Sequence, residues 1–250
     1  MKLLAVALII SATLFTQSAH TQTLKIASEG SYPPFSYIDS NNELKGFDID
    51  ISYALCKKMN VECTITTQDF EGMIPGLLAK KYDVIIASLA LTKERLQKID
   101  FTDPYYNTEL AVITAKDSEI KEISAEAFKG KNLGVQTNTT QAAYAEDYYA
   151  FEGINIKFYP TTIEVNRDFL NRRLDVVIVD KLQALNWLKN EGKDCCRLLG
   201  TLEGTKFPIA IALRKNNNGL KSRFNEAIKE IHSDGTYDRI MKKYFAFDIY

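Results

Sequence analysis

Tyr82-Asp-Val-Ile-Ile-Ala-Ser88 and Leu174-Asp-Val-Val-Ile-Val-Asp180 carry Asp-Val at the same offset, continue as apolar runs and end on a polar residue. Short runs of this kind, rich in β-branched residues, read as strands buried on both faces. In open parallel sheets ligands bind outside the carboxyl ends of the strands, which puts Ser88 and Asp180 at two binding edges. If the halves of the chain face each other, both residues line one cleft. Serine and aspartate are equally favoured as helix caps, and the strands alone leave that choice open.

Outward from these runs, strand and helix patterns alternate. Leu24 to Ser28 reads as a strand, 48–59 as a helix, 62–67 as a strand and 72–81 as a helix before the run at Tyr82. The second half repeats the scheme: strand 133–137, helix from Thr140, strand 154–159, helix 163–172, then the run at Leu174. Each half is a β-α-β-α-β unit, which predicts parallel sheets covered by helices. Phe101-Thr-Asp-Pro-Tyr-Tyr-Asn107 and the apolar strand 110–114 join the halves, and 207–214 leads back into a final helix at 220–233. Two crossings make a hinge that permits closure on a ligand.

At the amino terminus, Met1 and Lys2 precede an apolar run from Leu3 to Ile10, extended to Phe15, with small or polar residues from Thr16 to Thr23. A charged start, a short apolar core and a small-residue exit read as a cleaved secretion signal over 1–22, too short to span a bilayer. No later stretch of the sequence reads as a membrane span. At 46% hydrophobic, 25% charged and 11% aromatic, the composition is that of a chain that buries a full core. The 31 basic residues less Lys2 face 32 acidic ones, a formal charge of −2 that argues against nucleic acid or an anionic membrane as partner. Cys56 and Cys63 close a short loop, which suits an oxidising compartment. Cys195 and Cys196 are adjacent, either a vicinal disulfide or two thiols, and carry no assigned role.

Several segments then carry a resemblance over nearly the whole mature chain: Ser31-Tyr-Pro-Pro-Phe35, Gly46-Phe-Asp-Ile-Asp50, Leu55-Cys56 with Cys63, and Ala87-Ser-Leu-Ala-Leu-Thr-Lys-Glu-Arg95. Phe101-Thr-Asp-Pro-Tyr-Tyr106, Asn138-Thr-Thr-Gln141 and Asp234-Gly-Thr-Tyr237 complete the set in matching order. The sequence resembles the periplasmic polar amino-acid-binding proteins of ABC importers, bacterial solute-binding protein family 3, especially the lysine/arginine/ornithine, histidine and arginine binders. The resemblance implies a two-lobed α/β fold of the type II periplasmic-binding-protein class, each lobe a sheet flanked by helices. Its expected division is 23–108 with 206–250 for the first lobe and 109–205 for the second.

It also implies a ligand site. Arg95, Ser88 and Thr140 match the family's α-carboxylate clamp, where a guanidinium grips bidentately and helix-start amides favour negative charge. Asp180 matches the α-ammonium partner. Glu29, Tyr32 and Phe70 surround the side chain, two aromatics for an alkyl stem or guanidinium and a carboxylate for the distal charge. That set implies a cationic ligand, arginine ahead of lysine, ornithine or histidine. Ala87 and Ala90 stand where relatives place hydroxyl or acidic side chains, so contacts are lost there. The implied partners are the free amino acid and an inner-membrane ABC permease, for a monomer in the periplasm, with no nucleic acid, metal or cofactor.

The competing readings are a binder of a neutral polar amino acid such as glutamine and a dehydratase-like enzyme on the same fold. Against catalysis, His20 and His232 are the only histidines, and no zinc spacing, serine–histidine pair or phosphate loop occurs. Glu29 has no marked catalytic partner.

Overall fold

The computed structural model describes residues 23–150 and 152–250. The leader expected over 1–22 lies outside the described residues. The chain opens with β1 (Leu24–Ser28), a small antiparallel ribbon of β2 (Ser31–Tyr32), β3 (Ser36–Ile38) and β4 (Leu44–Lys45), and α1 (Phe47–Lys58). β5 (Cys63–Thr67), α2 (Met73–Leu78), β6 (Val84–Ile85), α3 (Lys93–Lys98) and β7 (Asp100–Thr108) follow. The second lobe holds β8 (Leu110–Ala115), α4 (Ala125–Phe128), β9 (Asn132–Gln136), α5 (Thr140–Tyr149) and β10 (Asn155–Tyr159). It continues with α6 (Thr162–Leu170), β11 (Val176–Asp180), α7 (Lys181–Lys189) and β12 (Cys196–Thr201). β13 (Phe207–Leu213), α8 (Asn218–Ser233) and α9 (Thr236–Tyr244) return to the first lobe.

Two five-stranded sheets result, ordered β5-β1-β6-β13-β7 and β10-β9-β11-β8-β12. Their first three strands are parallel, as the alternation predicts. The strands next to the crossings are antiparallel: β13 against β6 and β7, β8 against β11 and β12. The sheets are therefore mixed rather than parallel, because β8 and β13 enter directly from the other lobe, without the crossover helix that a parallel neighbour needs. Every residue of β11 and of β8 is buried, since helices cover both faces.

The cores follow from that layering. On one face of the first sheet, Phe47, Ile51 and Leu55 of α1 pack with Phe224 and Ile228 of α8 and Ile240 of α9; on the other, Met73 and Leu77 of α2 pack with Ala27 and Ile85. In the second lobe, Ala142 and Ala145 of α5 cover Val135 and Ile178, while Val165 and Phe169 of α6 and Trp187 of α7 cover Val177 and Val179. The start of α6 is marked by a complete capping box, Thr161 with Glu164. Cys56 and Cys63 are bonded, tying the end of α1 to the start of β5 at a Cα separation of 6.2 Å, and Cys195 and Cys196 are bonded to each other.

Candidate functional site

A cavity lies where the two sheets' strand ends meet, enclosing about 330 Å³ that opens in part to solvent. Every residue expected to touch ligand, from Glu29 to Asp180, lines it, together with Ala87, Gln136, Thr139 and Gln141.

Asp180 ends β11 and stands at the N-cap position of α7, yet makes no side-chain capping bond. Its Oδ2 instead accepts the Tyr32 hydroxyl at 2.7 Å, across the cleft from the first lobe. A carboxylate taken away from its own helix belongs to the cleft. Burial pushes the Asp180 carboxyl up to about 6, against the lowering influence of Tyr32 and Arg95. Tyr32 itself is buried, stacked on Phe35 at 5.9 Å, which in turn stacks on Tyr106 at 5.1 Å.

Ser88 is no cap either, for α3 is capped by the Thr92 hydroxyl, which accepts from Arg95 N–H. It adopts φ 52°, a left-handed conformation that costs a residue with a Cβ. Asp48 holds it there: the Ser88 N–H and Oγ–H donate to Asp48 Oδ2 at 2.7 and 3.0 Å, and the Tyr105 hydroxyl donates to Oδ1 at 2.8 Å. The fully buried Asp48 carboxyl is pushed up to about 7 by burial, despite these three bonds. With both its donors committed to Asp48, Ser88 offers the cavity only acceptor oxygens. Ser88 is expected in the carboxylate clamp, whereas acceptor oxygens are the complement of an ammonium. Asp48 lies in the quoted Gly46-Phe-Asp-Ile-Asp50 segment, but nothing local shows that it reaches a residue forty positions on.

Arg95 is half-buried, and its guanidinium bridges the lobes, Nη1 to Ala90 O at 2.9 Å and Nη2 to Asn138 O at 3.0 Å. Its Cζ stands 5.7 Å from the centroid of Phe70. Phe70, expected against the ligand side chain, thus also carries the arginine on its face. Burial lowers Arg95 to about 10, which leaves it charged at neutral pH. Opposite it, Thr139 caps α5 by accepting from Ala142 N–H. The amides of Thr140 and Gln141 that follow are among the helix-start donors with no intrahelical acceptor. A guanidinium facing helix-start amides makes a carboxylate corner.

Glu29 is 7% exposed, so it is a buried acid and not a solvated turn residue. Its Oε1 accepts from Ser31 Oγ at 2.8 Å and from Gln136 Nε2 at 2.7 Å, again across the cleft. Burial raises its carboxyl above the ordinary value more than these two bonds lower it. Ala87 and Ala90 contribute only a methyl group each. Sequence reasoning missed Gln136, Thr139 and Gln141: the first closes a strand, and only the approach of the lobes brings it to Glu29. Among the described residues no cluster of side chains suits a metal ion, and no helix is long and apolar enough to cross a membrane.

A mixed α/β pair of lobes with a polar, charged cleft between them matches known proteins over its whole length. The family of bacterial extracellular solute-binding proteins, family 3, matches residues 24–247. The chain belongs to this family. This family 3 protein is 36% identical over 255 residues to the lysine/arginine/ornithine-binding periplasmic protein of Escherichia coli K12, covering 99% of this chain and 98% of the relative. Among solved structures, it superposes on an ancestral arginine-binding protein bound to arginine with a TM-score of 0.86 at 34% identity, covering 91% of this chain and 100% of the other. An ancestral arginine-binding protein bound to glutamine matches with a TM-score of 0.84 at 35% identity, over 90% and 98%. These relatives are binding proteins, and this solute-binding protein is not an enzyme.

Proposed function

We propose that this solute-binding protein is exported to the periplasm, captures a free cationic amino acid by lobe closure, and passes it to an inner-membrane ABC permease. Arginine is the first ligand, followed by lysine, ornithine and histidine. The observation that carries the reading is the charge of the cavity wall: Glu29 and Asp180 against Arg95 alone. A zwitterion's carboxylate pairs with Arg95 and the amides of α5, and its ammonium with Asp180 and the oxygens of Ser88. That leaves the buried Glu29 uncompensated, and a buried charge is costly unless paired. A positive side chain removes the imbalance. Binders of lysine, arginine and ornithine among the relatives support the same choice. Since each end of the zwitterion draws partners from both lobes, Arg95 with the amides of α5 and Ser88 with Asp180, neither lobe alone satisfies it, and closure is coupled to occupancy.

Thermal melting with each of the twenty amino acids and ornithine tests this. A ligand at a hundred times its Kd stabilises by about 2.7 kcal/mol, a midpoint shift of roughly 5–10 °C for a protein of this size. The shift is expected with arginine, then lysine and ornithine. A shift with neutral amino acids alone would overturn the cationic reading.

A second reading, glutamine, is favoured by the burial of Glu29, which raises its carboxyl by disfavouring the charged form and so reduces the advantage of a positive side chain over a neutral one. The glutamine-bound ancestral structure shows such a ligand in the same fold. The panel separates the two.

Affinity is expected to fall with acid. The Asp180 carboxyl lies at about 6 without ligand, raised from 3.8, and a neighbouring ammonium favours its ionised form. Protonation must be reversed on binding, so affinity weakens by up to about tenfold per pH unit as pH drops below about 6. Without ligand the sign is opposite. A carboxyl raised on folding adds stability that is full below 3.8 and lost as pH rises through about 6. Titration calorimetry and melting from pH 4.5 to 8 read both slopes; a flat affinity would remove Asp180 from the ammonium site.

A further inference from the structure

Gln136 is a polar residue on a buried strand end, and its side-chain amide has a defined orientation. Its Nε2 donates both hydrogens, to Glu29 Oε1 at 2.7 Å and to Pro160 O at 3.1 Å. A peptide carbonyl cannot donate, so the nitrogen must face it and the amide cannot be turned round. The amide oxygen, Oε1, is left as an acceptor with no protein partner among the described residues, on a residue that lines the cavity. On Glu29, Ser31 and Gln136 both occupy Oε1, and Oε2 is likewise unpartnered among the described residues.

We propose that Gln136 is a specificity-determining residue: its amide oxygen and Glu29 Oε2 form a two-acceptor end of the cavity, one acceptor from each lobe, that takes a guanidinium in preference to an ammonium. The inference rests on the reading of this cavity as a site for a cationic amino acid. A guanidinium is a planar fork of five N–H donors in fixed directions, so it serves two separate acceptors at once. An ammonium is a compact charge whose main partner is the carboxylate, and it gains less from a fixed second acceptor. Because the two acceptors belong to different lobes and are joined by the Gln136–Glu29 hydrogen bond, the end is assembled only on closure.

Gln136→Met, close in length but without acceptor or donor, tests the idea, with Gln136→Leu as the second variant should the first fold poorly. Melting of the ligand-free protein checks the fold, and calorimetry gives Kd for arginine, lysine and ornithine. The ratio of arginine to lysine affinity is expected to fall at least fivefold. A ratio within fivefold of the unaltered protein's, whether both affinities drop together or neither moves, overturns the proposal, because a Gln136 that merely holds the lobes closed weakens all three ligands alike. If the unaltered protein binds none of the three, the cationic reading itself fails, and the inference goes with it.

Discussion

Asp180→Ala should weaken every amino acid ligand by roughly 30-fold to several thousand-fold, the 2–5 kcal/mol that follows from removing one partner of a buried, hydrogen-bonded charge pair. Asp180 is 5% exposed and meets Tyr32 across the cleft, so it serves both the ligand ammonium and the closed arrangement of the lobes. Its removal also leaves the buried Tyr32 hydroxyl without an acceptor, a cost of about 1–3 kcal/mol in the closed form. Arg95→Ala should act on the same scale at the other end of the zwitterion and release the contact to Asn138. The diagnostic feature is uniformity, since every amino acid carries the same ammonium and carboxylate. Calorimetry with one cationic and one neutral ligand reads it. A loss confined to cationic ligands would mean that Asp180 faces the side chain.

Glu29→Gln should do the reverse and discriminate. Cationic ligands lose a charge-assisted partner, about 1.5–3 kcal/mol or roughly 10- to 100-fold in affinity, while a neutral ligand such as glutamine keeps a hydrogen-bonding partner of the same shape. Because burial raises the Glu29 carboxyl, an ionised acid there costs the ligand-free protein stability. Its neutral replacement should therefore melt slightly higher when empty and gain less from arginine. Equal loss for arginine and glutamine would remove Glu29 from the side-chain end of the cavity.

How much of this was legible beforehand differs from element to element. β1 spans Leu24–Ser28 as read, and helix α5 begins at Thr140 as read, because both carry their signal in adjacent residues. The ribbon β2 to β4, with strands of only two or three residues, lacks the length that periodicity needs. The antiparallel strands were misjudged because a period of two is the same for either direction, and direction depends on where the chain came from.

For the site, Ser88 and Asp180 stood out at the ends of their apolar runs, while Arg95, Glu29 and the two aromatics came from the family resemblance. Neither the runs nor the resemblance could say where side chains point. That Asp180 leaves its helix uncapped, that both Ser88 donors go to Asp48, and that Phe70 lies under Arg95 depend on contacts between segments far apart in the chain. Gln136 is the clearest case: 107 residues separate it from Glu29. Local chemistry fixes what a residue can donate or accept, but only the packing of two lobes against each other fixes which partner is within 3 Å.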